Sequence, residues 1–281
     1  MSFTMATTDE SRIVKVLVAA DVHLRRRKLE ALGAAVSKDK PEVVALNGDL
    51  LDVGATYRHQ VGVRDCAALL SGLPPCEIAI VRGNHEDANW LDFLAAWPLE
   101  SRRLTLLHGS CAQHGPLTIL GFPCLLGNQV PFEVSLAVVD GERCPPLLDR
   151  PAEIETWLPR LIRARGPPAR ALWLMHEPPS GTPLSERTGP VSGNLEWLEA
   201  IERFSPLLVL CGHDHNSPRR NRRWYCRIQD TVCVNVGQDG SDGLCHAVVE
   251  LEFPRPTPCL PTWMVVRAHP WGESLCVLPP R

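Results

Sequence analysis

The sequence lacks most of the features that assign a chain to a class at sight. It has no apolar run of about 18 residues, the length a membrane-spanning helix needs, and Met1 to Arg12 is polar, without the apolar stretch of a secretory signal. No Cys-x-x-Cys occurs among the 11 cysteines, and their odd number argues against a closed disulfide framework. Several, such as Cys66, Cys76 and Cys211, fall inside predicted helices or strands and read as small buried apolar residues of a reducing compartment. Cytoplasm is therefore the expected location. Charge of one sign is also missing. With 29 basic and 32 acidic residues the net charge is -3, so attraction to nucleic acid or to a membrane surface would have to come from local patches. There is no internal repeat of the length that marks a solenoid or propeller.

What the chain does contain is a series of short apolar runs, each followed by polar residues of one kind. Ile13 to Ala20 reads as a buried strand and delivers Asp21-Val22-His23. Glu42 to Leu46 is a second strand, followed by Asn47-Gly48-Asp49-Leu50-Leu51-Asp52, and Glu77 to Val81 a third, releasing Gly83-Asn84-His85-Glu86. Helical patterns separate them, the first carrying Leu29, Leu32, Ala35 and Val36 up to Pro41, the second ending at Gly72 and Pro74-Pro75. Arg103 to His108 and Leu117 to Phe122 are further strands. Residues 123–149 lack a sustained period and read as an excursion over one rim, and Ile154 to Arg165 reads as a helix. Ala171 to Met175 is a strand delivering His176, and Pro206 to Leu210 one that opens onto Gly212-His213-Asp214-His215. Thr231 to Val236 and His246 to Leu251 complete the core, with residues 237–243 between them as a hairpin-like turn.

Strands alternating with helices predict parallel pairing with helices on the sheet faces. The expected organisation is a polar tail over residues 1–12, one domain over 13–251, and an extension over 252–281. The extension holds seven prolines, with Trp263 to Val266 as one candidate strand.

Residues i and i+2 of an extended segment project to one side, so Asp21 with His23, and His213 with His215, can each converge on one site. Taken singly, such pairs also fit solvated loops. Five strands ending in Asp21 and His23, Asp49, Asn84 with His85, His176, and His213 with His215 are another matter. Sheet packing asks for apolar residues within strands and nothing particular after them, whereas open α/β sheets gather their chemistry at carboxyl strand ends.

The ordered blocks Asp-x-His, Gly-Asp-x-x-Asp, Gly-Asn-His-Glu, a single His and Gly-His-x-His resemble those of the calcineurin-like metallophosphoesterases, over about residues 13 to 250. The resemblance implies an α/β fold of two packed mixed β-sheets flanked by helices, in four layers α-β-β-α. It implies two divalent transition-metal ions, one held by Asp21, His23 and His215, the other by Asn84, His176 and His213, with Asp49 bridging them. A mixed N/O donor set suits Mn, Fe or Zn better than Ca or Mg. The implied reaction is hydrolysis of a phosphomonoester or phosphodiester, with a metal-bridging hydroxide as nucleophile and His85 as general acid, its ring held by Asp52. Asp52 also fits a helix cap or loop turn.

One departure is that Val53-Gly54 stands where the protein serine/threonine phosphatases carry a phosphate-gripping Arg-Gly, and Arg58 is the nearest arginine after it. The alternative to an enzyme is a scaffold of this fold that binds protein partners, as the retromer subunit resembling this family does. The expected partner is a small phosphate ester or nucleotide. Nucleic acid draws only on two basic clusters, Arg25 to Lys28 and Arg219 to Arg227, the second interrupted by Trp224 and Tyr225, which could stack on a base. No residue can be read as substrate-binding, and nothing specifies an oligomeric state.

Overall fold

The computed structural model describes residues 11–52, 59–86, 89–98, 103–107, 109–122, 124, 138–139, 142–143, 171–185, 193–238, 242–254 and 260–277. Arg58, the expected helix Ile154 to Arg165 and nearly all of the 1–12 tail and the 123–149 excursion lie outside the described residues.

Strands β1 (Arg12–Ala19), β2 (Val43–Asn47), β3 (Glu77–Val81) and β4 (Leu104–Leu106) run parallel in that order. Their sheet is extended on the far side of β1 by antiparallel β13 (His246–Phe253), β14 (Trp263–His269) and β15 (Glu273–Val277), making seven strands. A second sheet of six has the order β11-β12-β10-β9-β6-β5. Here β6 (Leu117–Gly121), β9 (Ala171–Leu174), β10 (Leu208–Leu210) and β12 (Thr231–Val234) are parallel, while β5 (Ser110–His114) and β11 (Tyr225–Ile228) are antiparallel edges. Two residues each of β7 (Val138–Val139) and β8 (Glu142–Arg143) form a separate ladder.

The alternation of side chains along β1 explains the layering. Val14, Val16 and Val18 point into a core shared with Leu172, Leu174, Leu208 and Val232 of the other sheet, while Leu17 and Ala19 face the helices. All five residues of β2 are buried because both of its faces are covered, each large apolar side chain contributing about 1.5–3 kcal/mol. Helices α1 (Arg26–Asp39), α2 (Val63–Ser71) and α3 (Asn89–Ala96) cover the outer face of the first sheet. Leu29, Leu32, Ala35 and Val36 form the buried stripe of α1, as their spacing predicts. The helix stops at Lys40, left-handed at φ 49, directly before Pro41. On the outer face of the second sheet α4 (Leu195–Phe204) buries Trp197, Ala200 and Ile201, with the Asn194 side chain accepting the Glu196 N–H at 2.9 Å as its cap. The result is the four-layer arrangement of two mixed sheets between helices.

Three expectations are corrected. The parallel reading missed β5 and β11, short edge strands whose polar residues mask their period. Residues 237–243 are no hairpin turn, because β12 and β13 belong to different sheets and the segment crosses between them. Within residues 252–281 the candidate strand Trp263 to Val266 is part of β14, and β15, which was not expected, follows it in the first sheet. Of the seven prolines four precede β14, Pro270 lies in the turn after it and two follow β15 in the sequence, so none falls inside these strands.

Candidate metal centre

The two parallel strand sets point their carboxyl ends the same way, and the segments beyond them continue side by side. After β1 and β2, Asp21 N–H donates to Gly48 O at 3.0 Å and His23 N–H to Asp49 O at 2.9 Å. After β9 and β10, Gly212 N–H donates to His176 O at 2.8 Å. The sheets meet where His176 Nδ1 lies 2.8 Å from Asn47 O; a carbonyl only accepts, so Nδ1 carries the proton and Nε2 turns to the cluster. Asp21, His23, Asp49 and His213 all have positive φ, between 50° and 64°, in the left-handed region that non-glycine residues rarely occupy. Such strain persists where surrounding contacts over-determine it and clusters at functional sites.

Glycines in these segments allow the backbones to touch. A Cβ on Gly48, itself at φ +82, would lie 2.4 Å from His176 Nδ1, and one on Gly212 would lie 2.4 Å from Ala20 Cβ and 2.8 Å from Asp21 Oδ2. The glycine of each motif is therefore a steric requirement of the crossing.

The side chains converge as two groups that share Asp49. Asp21, His23, Asp49 and His215 form one, and Asp49, His176 and His213 the other, with one donor atom from each within 4.8 Å of the rest of its group. His215 Nε2 is 3.2 Å from Asp21 Oδ1 and 3.3 Å from His23 Nε2. His176 Nε2 is 3.3 Å from Asp49 Oδ2, 3.2 Å from His213 Nδ1 and 3.0 Å from Asn84 Oδ1, which is also 3.0 Å from His213 Nδ1. Donors each 2.0–2.2 Å from a common ion stand about 3.0–3.6 Å apart in tetrahedral or octahedral geometry. The spacings and the mixed imidazole, carboxylate and amide set fit metal ions.

Charge follows from the same contacts. Burial opposes ionisation of Asp49, but His176, His23 and His85 outweigh it and hold the carboxyl far below its usual range. Asp21, also pushed up by burial, is brought below its ordinary value by His215. Burial lowers His176, yet Asp49 beside it raises it to about 10, and Asp21 likewise raises His215. His213 is pushed down to about 4 by burial and the neighbouring His176 charge, and burial lowers His23 against the pull of Asp49. Without metal, the proton that His176 keeps offsets part of the charge of the two carboxylates, and a cation would take over that role.

Beside the groups, His85 Nδ1 lies 2.9 Å from Asp52 Oδ1, leaving Nε2 3.9 Å from Asp49 Oδ2 on a ring about one third exposed. Gln60 Nε2 donates to Asp52 Oδ2 at 2.7 Å and to His23 O at 3.1 Å, tying these neighbours together.

All nine residues singled out from the sequence come together here. Sequence reasoning missed what holds them. Buried Glu86 accepts the N–H groups of Asp49 and Leu51 at 2.9 Å and of Gly83 at 2.5 Å, joining the loops after β2 and β3. Burial, with the Asp49 charge added, raises its carboxyl to about 7. Asn235 does the same for the last motif, donating to Gly212 O and Asp214 O at 3.1 Å and accepting from Gly237 N–H at 2.8 Å. Asp214 is buried and starts α5 (Ser217–Asn221), accepting from Ser217 N–H at 2.8 Å. A carboxylate or amide inside each motif was the available signal.

Two readings of the basic clusters are corrected. The Arg25 to Lys28 cluster is not four open cations: Lys28 is buried, its Nζ 2.7 Å from Gln238 Oε1, while Arg25 and Arg27 both pair with Asp242. Trp224 is buried, its Nε1 donating to Glu273 Oε2 at 2.7 Å, so it offers no face to a base.

A family model described as calcineurin-like phosphoesterase matches residues 14–217. A dimetal phosphatase from Danio rerio superposes with a TM-score of 0.59 at 15% identity, over 95% of this chain and 99% of that one. GAP50, the anchor in the inner membrane complex of Plasmodium, gives 0.56 at 8% identity, over 96% and 90%. A purple acid phosphatase from yellow lupin gives 0.52 at 11%, over 96% of this chain and 54% of that one. At these identities the likeness is one of fold. Comparison with curated proteins finds no match. Among the described residues no helix is long and apolar enough to cross a membrane.

Proposed function

The chain belongs to the calcineurin-like phosphoesterase family, and from that premise we propose that it is a two-metal hydrolase of phosphate esters. The observation that carries the reading is the convergence of donor atoms from five strand ends at 3.0–3.3 Å, with Asp49 common to both groups. In this reading Asp21, His23 and His215 hold one ion, Asn84, His176 and His213 the other, and Asp49 joins them. When bound there, two such ions, Mn, Fe or Zn, would supply Lewis acidity that lowers the pKa of water and offsets charge on the phosphoryl group.

The remaining work falls to the chain. Hydrolysis forms a bond from the oxygen of water to phosphorus and breaks the bond between phosphorus and the ester oxygen, and the leaving alkoxide needs a proton. His85 has the geometry to give it. Its Nδ1 is tied to Asp52, which fixes the ring plane, and its Nε2 faces the open side of the cluster. Gln60 holds Asp52 in turn, and Glu86 keeps the Asp49 and Gly83 backbones in register, so the donors do not have to reorganise when substrate arrives. Most of the described cysteines are buried, as small apolar residues of a reducing compartment are, which supports the cytoplasm as its place of work.

The test is elemental analysis of purified protein together with hydrolysis of p-nitrophenyl phosphate and bis-p-nitrophenyl phosphate. Two transition-metal ions per chain are expected, and activity that falls together with metal content in Asp49→Asn. A metal-free, inactive wild type would instead support the scaffold reading. Wild-type metal content and rate in Asp49→Asn would remove Asp49 from its bridging role.

A further inference from the structure

The His215 ring lines a second feature besides the donor cluster, a cleft of about 120 Å³. Its other walls come from chain segments far apart in sequence: Val236 and Gln238 beyond β12, Cys245 before β13, and Pro270 with Trp271 in the turn joining β14 to β15. Arg219 on α5 completes the lining. The turn is tight, Gly272 at φ +70 returning its N–H to Ala268 O at 3.1 Å, and it presents Trp271 toward the cluster from the C-terminal part of the sheet.

The polar atoms of this cleft are already engaged. Trp271 Nε1 donates to Val236 O at 3.2 Å. The Gln238 carboxamide accepts from Lys28 Nζ at 2.7 Å and from Cys245 N–H at 3.3 Å, and donates to Cys245 O at 2.7 Å. What remains open is an aromatic surface between apolar side chains, suited to selection by shape and stacking and not by hydrogen bonds. Arg219 is the exception: it is exposed and, among the described residues, has no hydrogen-bond or ion-pair partner. The size is also informative, since a cavity of about 150 Å³ takes up benzene. At about 120 Å³ the cleft matches one ring more nearly than two fused rings.

We propose that this cleft is the subsite for a single planar ring on the substrate. The enzyme then prefers phosphoesters in which one arm ends in a pyrimidine or phenyl ring. The ring lies against Trp271 while the exposed Arg219 guanidinium meets the negative charge of the phosphate. This rests on the hydrolase reading above, and it assigns Trp271 and Arg219 as specificity residues.

Two measurements test it. The first is the ratio of kcat/KM for thymidine 5′-monophosphate, and for phenyl phosphate, to that for methyl phosphate on Mn-loaded protein, read by release of inorganic phosphate. The second is binding of thymidine and adenosine 5′-monophosphates to metal-free protein by calorimetry. Stacking of one ring predicts that Trp271→Ala lowers the ring-to-methyl ratio about 5- to 150-fold, expressed in KM, and that Trp271→Phe restores most of it. The thymidine and phenyl arms tell a nucleotide substrate from an aryl one. Arg219→Ala, at an exposed position that does not endanger folding, is expected to weaken thymidine monophosphate binding and flatten its salt dependence. Equal loss on ring and methyl esters, Phe no better than Ala at position 271, or adenosine monophosphate bound as well as thymidine monophosphate would overturn the subsite. Hydrolysis with no ring preference would overturn it while leaving the hydrolase standing. Binding of thymidine monophosphate that is lost in Trp271→Ala, in a protein that hydrolyses none of the esters, would support the subsite and sink the hydrolase.

Discussion

Replacing Gly83 by alanine probes the crossing of the two sheets at the cluster with a single methyl group. A Cβ there would stand 2.2 Å from Asp49 Oδ1, 2.5 Å from Asp49 N and 2.8 Å from His176 Cε1, all below the 3.0 Å under which real Cβ contacts essentially never occur. Gly83 does not have positive φ, so the effect is steric and not conformational. Relief requires about 0.8 Å of movement by Asp49 or by the Gly83 backbone, whose N–H is held by Glu86. A misplacement of about 1 Å in a catalytic constellation costs about 100-fold in rate, and disturbing a metal's supporting contacts costs about 10- to 100-fold in affinity. Overpacking should cost a further ~1–3 kcal/mol of stability. Gly33→Ala is the control: its Cβ would meet only Leu73 Cδ2 at 3.7 Å inside α1, and it should stabilise by about 0.4–1 kcal/mol with metal content unchanged. Urea denaturation, elemental analysis and kcat on p-nitrophenyl phosphate would read all three effects. Wild-type metal content and turnover in Gly83→Ala would refute the claim that the glycine is there to let Asp49 approach His176.

His85→Asn should keep its metals while losing about 10²- to 10⁴-fold in rate on an alkyl ester and much less on a nitrophenyl ester, whose leaving group needs no proton; equal losses on both would count against proton donation. The folded value for His176, about 10, lies above the ordinary 6.5, so its charge stabilises the metal-free protein fully below pH 6.5 and ceases to as pH rises through 10. Metal must displace that proton, and calorimetry in two buffers at pH 7.5 should show release of about one proton from His176, with affinity rising with pH; no release would contradict the charge balance. Glu86→Gln presents an N–H where the carboxylate accepts one, and in metal-loaded protein it should cost about 1–3 kcal/mol by urea denaturation, whereas a variant as stable as wild type would remove Glu86 as the tie between the loops.

Each strand that delivers a cluster residue was legible because it is a short apolar run that stops at a polar motif. Val43 to Leu46 must be apolar on both faces, and nothing in packing asks for Gly48-Asp49 after it. The partners of that motif were not legible, because Glu86, Asn235 and Gln60 act on backbone groups that approach only once both sheets exist. The same holds for Lys28, read as one member of a basic cluster, whose partner Gln238 lies 210 residues away. Misreading residues 252–281 has a different cause. Proline count obscured a period-2 signal in β14, where Met264, Val266 and Ala268 are buried and alternate with Trp263, Val265, Arg267 and His269.

The pairing of β1 with β13 also has a consequence for how the protein is made. Arg12 sits opposite Phe253, and seven such pairs join the first strand of the chain to one that leaves the ribosome about 240 residues later. At about 5–20 residues per second, β1 waits about 10–40 s with one edge unsatisfied after β2 has been made. Until then its N–H and C=O groups on that side, between apolar side chains, form a template for any passing strand. Asp21 likewise waits for His215, so the donor cluster cannot close around an ion during most of synthesis. Efficient production of this fold therefore depends on whatever shields that edge, and slower elongation should lengthen the exposure and lower the soluble yield.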